Sequence, residues 1–277
     1  MDGCGLGSCD ASALLFVTMK THLLNFTLEG QGPYLLLSHA LGCDLSMWDG
    51  VAEHLRGKYT VVRYDHRGHG RSPTPPEPWT IEMMADDTAA LIEAHCDGPV
   101  HFAGLSMGGM TAQALASRRP DLVRSITIAN SASAYDAAAQ AMWAARVETV
   151  RLKGVGAIAE VAMQRWFTPA FRADQTHGGA QRVALLRQGL ERMSGSAYAA
   201  ACAAVAAIDF RDRNTRIACP TLVIAGTLDE ATPLSASEQI VAQIPGARLR
   251  TLEAAHLSAV EQPAQFAQLL DGFLSSL

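Results

Sequence analysis

The sequence predicts an α/β protein: a mostly parallel central sheet covered by helices, with a helical cap inserted after the strand that ends near residue 129. Three observations carry that prediction. Short apolar runs alternate with amphipathic stretches along residues 22–129 and again along 221–277, the rhythm of strands buried on both faces between crossover helices. Across 131–214 that rhythm stops, and Ala-rich stretches at helical spacing replace it. Between the two patterns of the first block, the apolar run 99–103 meets the helical pattern 109–116 through Gly104-Leu-Ser-Met-Gly108. That sequence fits a sharp strand-to-helix turn. The expected organisation is a core of residues 19–130 and 215–277, with 131–214 as the cap.

The elements follow in order. Residues 22–28 alternate polar and apolar side chains and end at the turn Glu29-Gly-Gln-Gly-Pro33, which predicts an early, half-exposed strand. Tyr34-Leu-Leu-Leu-Ser38 is a buried strand followed by the loop 39–42, and 46–55 is an amphipathic helix. Thr60-Val-Val-Arg-Tyr64 is the next strand, closed by Asp65-His-Arg-Gly-His-Gly-Arg-Ser72. A Pro-rich run leads to a helix over about 80–95, with Thr80 as its N-cap. After the central turn and its helix come a strand at 125–129, the insertion, and a strand at 221–225. A helix over 235–244, a strand at 248–252 and a last helix from Pro263 complete the alternation.

Composition narrows the function classes. A net charge of −5 over 277 residues argues against a nucleic-acid partner, and no apolar run is long enough to span a bilayer. Cys4, Cys9, Cys43, Cys96, Cys202 and Cys219 lack CxxC spacing and read as reduced thiols of a cytoplasmic protein. Residues 1–18 lack the basic start and long apolar core of a secretion signal; they read as a disordered extension ahead of Met19.

The turn at 104–108 is where chemistry gathers. Flanking glycines let Ser106 take a strained conformation that lifts its hydroxyl off the sheet, and the Met107 amide then opens a helix N-terminus where a developing oxyanion is stabilised. A serine hydroxyl needs a base to take its proton, and that base needs an acid to fix its tautomer. His256, on the loop leaving the strand 248–252, is the candidate base. Asp229, on the loop leaving 221–225, is the candidate acid. The alternative acid position, after the strand ending at 129, holds the uncharged Asn130. A second oxyanion donor is expected from the loop after Ser38, at the Leu41 amide. Asp65, His66 and His69 are read as a turn tied by its own hydrogen bonds, and no metal or cofactor is expected.

Ser38-His-Ala-Leu-Gly-Cys-Asp-Leu-Ser-Met-Trp-Asp49, Arg63-Tyr-Asp-His-Arg-Gly-His-Gly-Arg-Ser72 and Gly104-Leu-Ser-Met-Gly-Gly109 resemble the α/β-hydrolase superfamily. Within it, Arg165-Trp-Phe-Thr-Pro-Ala-Phe-Arg172, the segments around Tyr198 and Asp209, and Ala255-His-Leu-Ser-Ala-Val-Glu-Gln-Pro263 are similar to 3-oxoadipate enol-lactonases. The resemblance runs from about residue 21 to the C-terminus. It implies cofactor-free hydrolysis of the enol-lactone of 3-oxoadipate in aromatic-compound catabolism. His39-Ala40, Glu230 and Ala259 depart from that group's Asn-Ser, Pro and Asn. These departures spare Ser106, Asp229 and His256 and leave the exact substrate open. A broader carboxylesterase, an acyl-homoserine lactonase, a perhydrolase or a ligand receptor retaining the same three residues stay as alternatives.

Such a substrate is an anion, and residues 131–214 carry ten Lys/Arg against seven Asp/Glu while the rest of the chain carries twelve against twenty. Arginine grips a carboxylate bidentately. Arg146, with Trp143 one helical turn before it, is the first candidate for substrate binding, and Arg165 with Trp166 the second.

Overall fold

The computed structural model describes residues 24–277. The expected extension 1–18, the first residues of the expected first strand, and Cys4 and Cys9 lie outside the described residues.

Seven strands form one sheet: β1 (Phe26–Glu29), β2 (Tyr34–Ser38), β3 (Thr60–Tyr64), β4 (Val100–Leu105), β5 (Val123–Ala129), β6 (Thr221–Gly226) and β7 (Arg248–Leu252). Their spatial order is β1-β3-β2-β4-β5-β6-β7. Only β1 runs antiparallel, pairing Phe26 with Tyr64, and the remaining pairs are parallel. The central strands β2, β4 and β6 are nearly continuous apolar runs, and β4 and β6 are buried along their whole length. That follows from helices covering both faces.

Helices α1 (Asp49–Leu55) and α12 (Pro263–Leu274) pack together on one side, with Trp48 meeting Phe266 edge to face at 5.6 Å. A second row joins α2 (Ile81–His95) and α3 (Met107–Arg118) to α9 (Arg211–Asn214) and α10 (Leu234–Gln243). Thr80 caps α2, its hydroxyl accepting the Met83 amide at 3.1 Å. The helix expected over 46–55 starts as a 3-10 turn, Leu45–Trp48, because the Asp44 carboxylate accepts the Ser46 amide and tightens the chain ahead of α1.

Between β5 and β6 the chain runs through α4 (Ala137–Lys153), α5 (Gly156–Trp166), α6 (Pro169–Ala173), α7 (Gly179–Arg192), α8 (Gly195–Ala206) and α9. Among the described residues of this insertion the only β contact is a single bridge, Ala134 to Asp209. α11 (Ser258–Glu261) forms one turn after β7. No helix among the described residues is long and apolar enough to cross a membrane.

Candidate active site

The loops leaving β2, β4, β5, β6 and β7 all emerge at the carboxyl edge of the parallel strands, where open α/β sheets place their ligands. Ser106 joins β4 to α3 with φ 55° and ψ −114°, a conformation that costs on the order of 1–3 kcal/mol for a residue with a Cβ. The surroundings hold it there: the Ser106 amide donates to Ala129 O at 2.9 Å, and Ser131 Oγ donates to the Ser106 carbonyl at 2.8 Å. A Cβ at Gly104 would lie 2.1 Å from the Gly108 carbonyl oxygen, and one at Gly108 would lie 2.1 Å from that of Ser38. Both glycines are therefore demanded by close backbone approach, as the motif implied.

Across the sheet edge, His256 Nδ1 and Asp229 Oδ2 are 2.9 Å apart, and both side chains are buried. Asp229 accepts four further hydrogen bonds, from the Ala231 and Thr232 amides, Thr232 Oγ1 and Asn130 Nδ2. Burial alone would raise this carboxyl. The His256 charge and the hydrogen bonds from His256 and Thr232 outweigh it and hold the group well below the usual carboxylate range. The carboxylate is thus an acceptor throughout the working pH range, which puts the imidazole proton on Nδ1 and leaves Nε2 free to act as a base.

Asn130 occupies the alternative acid position at the end of β5. It has φ 45°, donates to Asp229 and accepts from Ser258 Oγ at 2.5 Å. The two acid positions converge in space, and the amide serves the carboxylate. Sequence reasoning screened Asn130 only for charge and so missed its part as a donor.

Leu41, Ser106 and His256 open into one cavity of about 290 Å³, together with Trp143, Arg146, Arg165 and Trp166. The structure therefore brings every side chain expected at the site to one place, either lining this cavity or, for Asp229, directly behind His256. Met107 is buried as the first residue of α3. Neither its amide nor that of Leu41 donates to an acceptor among the described residues.

Arg146 lies over the Trp143 ring, 5.2 Å from its centroid, and its Nη1 reaches Tyr198 Oη at 3.4 Å. Trp143 in turn meets Tyr135 edge to face at 5.9 Å. Tyr135 and Tyr198 both line the cavity. The Ala-rich sequence around Tyr198 offers no stripe that would have marked its inward face. Arg165 donates from Nη2 to the Glu230 carbonyl at 3.0 Å, so part of its donor fork is already engaged.

The turn after β3 is tied partly by its own hydrogen bonds, as expected, and partly by Asn25 and Leu45 from outside it. Asp65 accepts from Asn25 Nδ2, the Leu45 amide and the Arg71 amide. Ser72 Oγ donates back to the Asp65 carbonyl at 2.6 Å. His101 is committed to Ser125 Oγ inside the sheet, and His95 ends α2.

A mostly parallel sheet of this order, with a strained serine at the strand-to-helix junction sharing a cavity with the histidine of an acid–histidine pair, defines the α/β hydrolases. The chain belongs to that family, and a family profile described as alpha/beta hydrolase fold matches residues 33–263. It is an enzyme of the hydrolase class. The chain is 39% identical over 253 residues to 3-oxoadipate enol-lactonase 2 of Acinetobacter baylyi, covering 90% of this chain and 92% of that protein. Among solved structures it superposes on the enol-lactonase of Burkholderia xenovorans with a TM-score of 0.86 at 33% identity, covering 91% and 96% of the two chains. It also matches a malate-bound thermophilic esterase of Thermogutta terrifontis, with a TM-score of 0.84 at 30% identity and 91% and 93% coverage.

Proposed function

We propose that this hydrolase opens a small carboxylate-bearing enol-lactone, that of 3-oxoadipate, through an acyl-enzyme on Ser106, with residues 131–214 acting as the cap that selects the substrate. The observation that carries this reading is Arg146. Its guanidinium lies against Trp143 and reaches toward Tyr198, inside the same small cavity as Ser106 and His256. A cation fixed a short distance from an activated serine suits a substrate with a carboxylate at one end and an acyl carbon at the other. The relatives named enol-lactonases support the same choice.

In the proposed reaction His256 Nε2 takes the Ser106 proton as Oγ bonds to the lactone carbonyl carbon. The Leu41 and Met107 amides hold the oxyanion, and such a donor is worth about 10²–10³ in rate. The ring C–O bond then breaks, its electron pair leaves on the enolate oxygen, and the His256 proton quenches the enolate to the ketone. Water attacks the acyl-enzyme with His256 again as base, and Ser106 recovers its proton. Asp229 stabilises the imidazolium in both halves. The four cysteines among the described residues are free thiols, which supports a cytoplasmic setting.

The experiment is a steady-state comparison of freshly generated enol-lactone with a neutral p-nitrophenyl ester, for the wild type, S106A and R146M. S106A is expected to lose at least 10³-fold on both substrates. R146M is expected to lose about 10–100-fold in kcat/KM on the lactone, the range of a charge-assisted hydrogen bond, and less than threefold on the ester. Equal losses on both substrates would instead support a general carboxylesterase.

A further inference from the structure

Residues 165–168, where α5 gives way to α6, touch both loops that carry the proposed acid and base. Arg165 donates to the carbonyl of Glu230, the residue after Asp229. Leu257, the residue after His256, donates its amide to the Trp166 carbonyl at 3.0 Å. Ala255, the residue before His256, donates its amide to Glu261 Oε2 at 3.4 Å, and Glu261 Oε1 accepts the Thr168 amide at 2.6 Å. Both amides that flank His256 therefore end on this segment, one directly and one through a partly buried carboxylate. Hydrogen bonds from amides to an ionised carboxylate are roughly twice as strong as neutral ones. Trp166 lines the cavity, so the indole that faces substrate and the carbonyl that holds Leu257 belong to one residue.

We propose that Glu261 is a positioning residue for His256, clasping the histidine loop to residues 166–168 and so setting the aim of the imidazole at Ser106. The proposal rests on the reading of His256 as general base. Glu261 is absent from the cavity lining, so its effect passes through the geometry of the base and not through affinity. A misplacement of about 1 Å at a catalytic group can cost on the order of 10² in rate. The helical insertion is then part of the machinery that holds the base, besides forming the wall of the cavity.

Two variants of the full chain test this. Thr168 has φ −60° and ψ 151°, and Phe167 before it is extended at φ −132° and ψ 144°. T168P therefore fits the backbone while deleting the N–H that Glu261 accepts. T168A keeps that N–H and loses the hydroxyl, which caps the Phe171 amide at 3.2 Å and also interacts with the Glu261 carboxylate, a loss that T168P shares, so the comparison of the two isolates the N–H. E261Q is isosteric and sets an amide NH₂ against one of the two backbone donors. We expect kcat to fall at least tenfold in E261Q relative to wild type and in T168P relative to T168A. The fall should be equal on the anionic lactone and the neutral ester, with KM within about threefold. The double variant T168P/E261Q should lose no more than the worse single one. The downfield Nδ1 proton resonance of His256 should shift or broaden more in T168P than in T168A.

Thermal unfolding within a few degrees of wild type establishes that each variant is folded, and if T168P is not, E261Q decides alone. Unchanged kcat in folded E261Q, or a change confined to KM, overturns the clasp while H256A is inactive. Retained turnover in H256A would instead remove the reading of His256 as base.

Discussion

At the level of single residues, the least expected feature of the site lies beneath it. His39, His66 and His69 are buried side by side, with His39 ring centroids 4.7 Å from His66 and 5.1 Å from His69. His39 Nε2 accepts the His66 amide at 2.9 Å, so its proton sits on Nδ1 and is donated to the Ala40 carbonyl at 2.8 Å. That pair fixes the backbone just ahead of Leu41. His66 Nε2 continues to Ser38 Oγ, Tyr64 Oη and Thr88 Oγ1 at 2.8, 2.8 and 3.0 Å. Burial lowers all three histidines, and the nearby His39 ring lowers the other two further, His69 to about 3. The unfolded chain protonates these groups near 6.5, so their stabilisation is complete above that pH. It is lost as pH falls toward the folded-state values, at up to about 1.4 kcal/mol per pH unit for each histidine. Asp229, depressed below its ordinary value, is lost only in a lower window, as pH falls through its folded-state pKa. Burial raises Glu261, which opposes the trend. Urea unfolding at pH 7, 6 and 5 should therefore give a free energy that drops by about 2–4 kcal/mol over the last unit. A flat profile would mean that the three histidines titrate alike in both states.

At the level of elements, α4 stands apart. Seventeen residues long, it fully buries only Val150, with Trp143 and Val147 partly buried, and packs on the Ala-rich α8 and on α5, yet it supplies Trp143 and Arg146 to the cavity. Few buried apolar contacts make a helix that opens below the global unfolding free energy. A glycine at exposed Ala145 costs about 1 kcal/mol of helix stability. In A145G the amides of α4 should exchange with solvent about fivefold faster, while the global unfolding free energy stays within about 0.5 kcal/mol of wild type. A full 1 kcal/mol loss in the global transition would tie α4 to the core. The same contrast explains what was legible in the sequence. The strands β2, β3 and β7 match their expected limits, β2 and β3 because buried apolar runs bound them sharply, and β7 although its alternating Arg248-Leu-Arg-Thr-Leu252 is largely exposed, because turn residues flank it. Asp229 and His256 stand out in the sequence because each sits on a loop leaving a strand, and the structure pairs them at 2.9 Å. The insertion is legible only as helical: in α8 alanine fills seven of twelve positions, so no periodicity marks the face that carries Tyr198. Glu261 was hidden for another reason. Its partners are backbone amides at Ala255 and Thr168, and a backbone donor leaves no trace in residue type.

At the level of the whole molecule, charge is unevenly shared. The insertion is net positive above a body that is net negative, within a chain of net charge −5. Arg146 and Arg165 bring that positive charge to the cavity, whose lining also holds Glu230, while the rest of the chain carries the net negative charge. Such a field acts over about 10 Å at 0.1 M salt and collapses to about 3 Å at 1 M, the scale of a small cavity mouth. Salt should therefore act on encounter and binding of a carboxylate-bearing lactone and leave a neutral ester alone. Raising NaCl from 20 to 500 mM should lower kcat/KM for the lactone by roughly three- to tenfold, with the ester constant within about 1.5-fold. R146M should flatten most of the lactone's dependence, because the charge that salt screens is then gone from the binding end of the cavity. If salt slowed both substrates equally, the effect would lie in the enzyme's own stability or in the histidine loop. The segregation of charge would then concern solubility and not recognition.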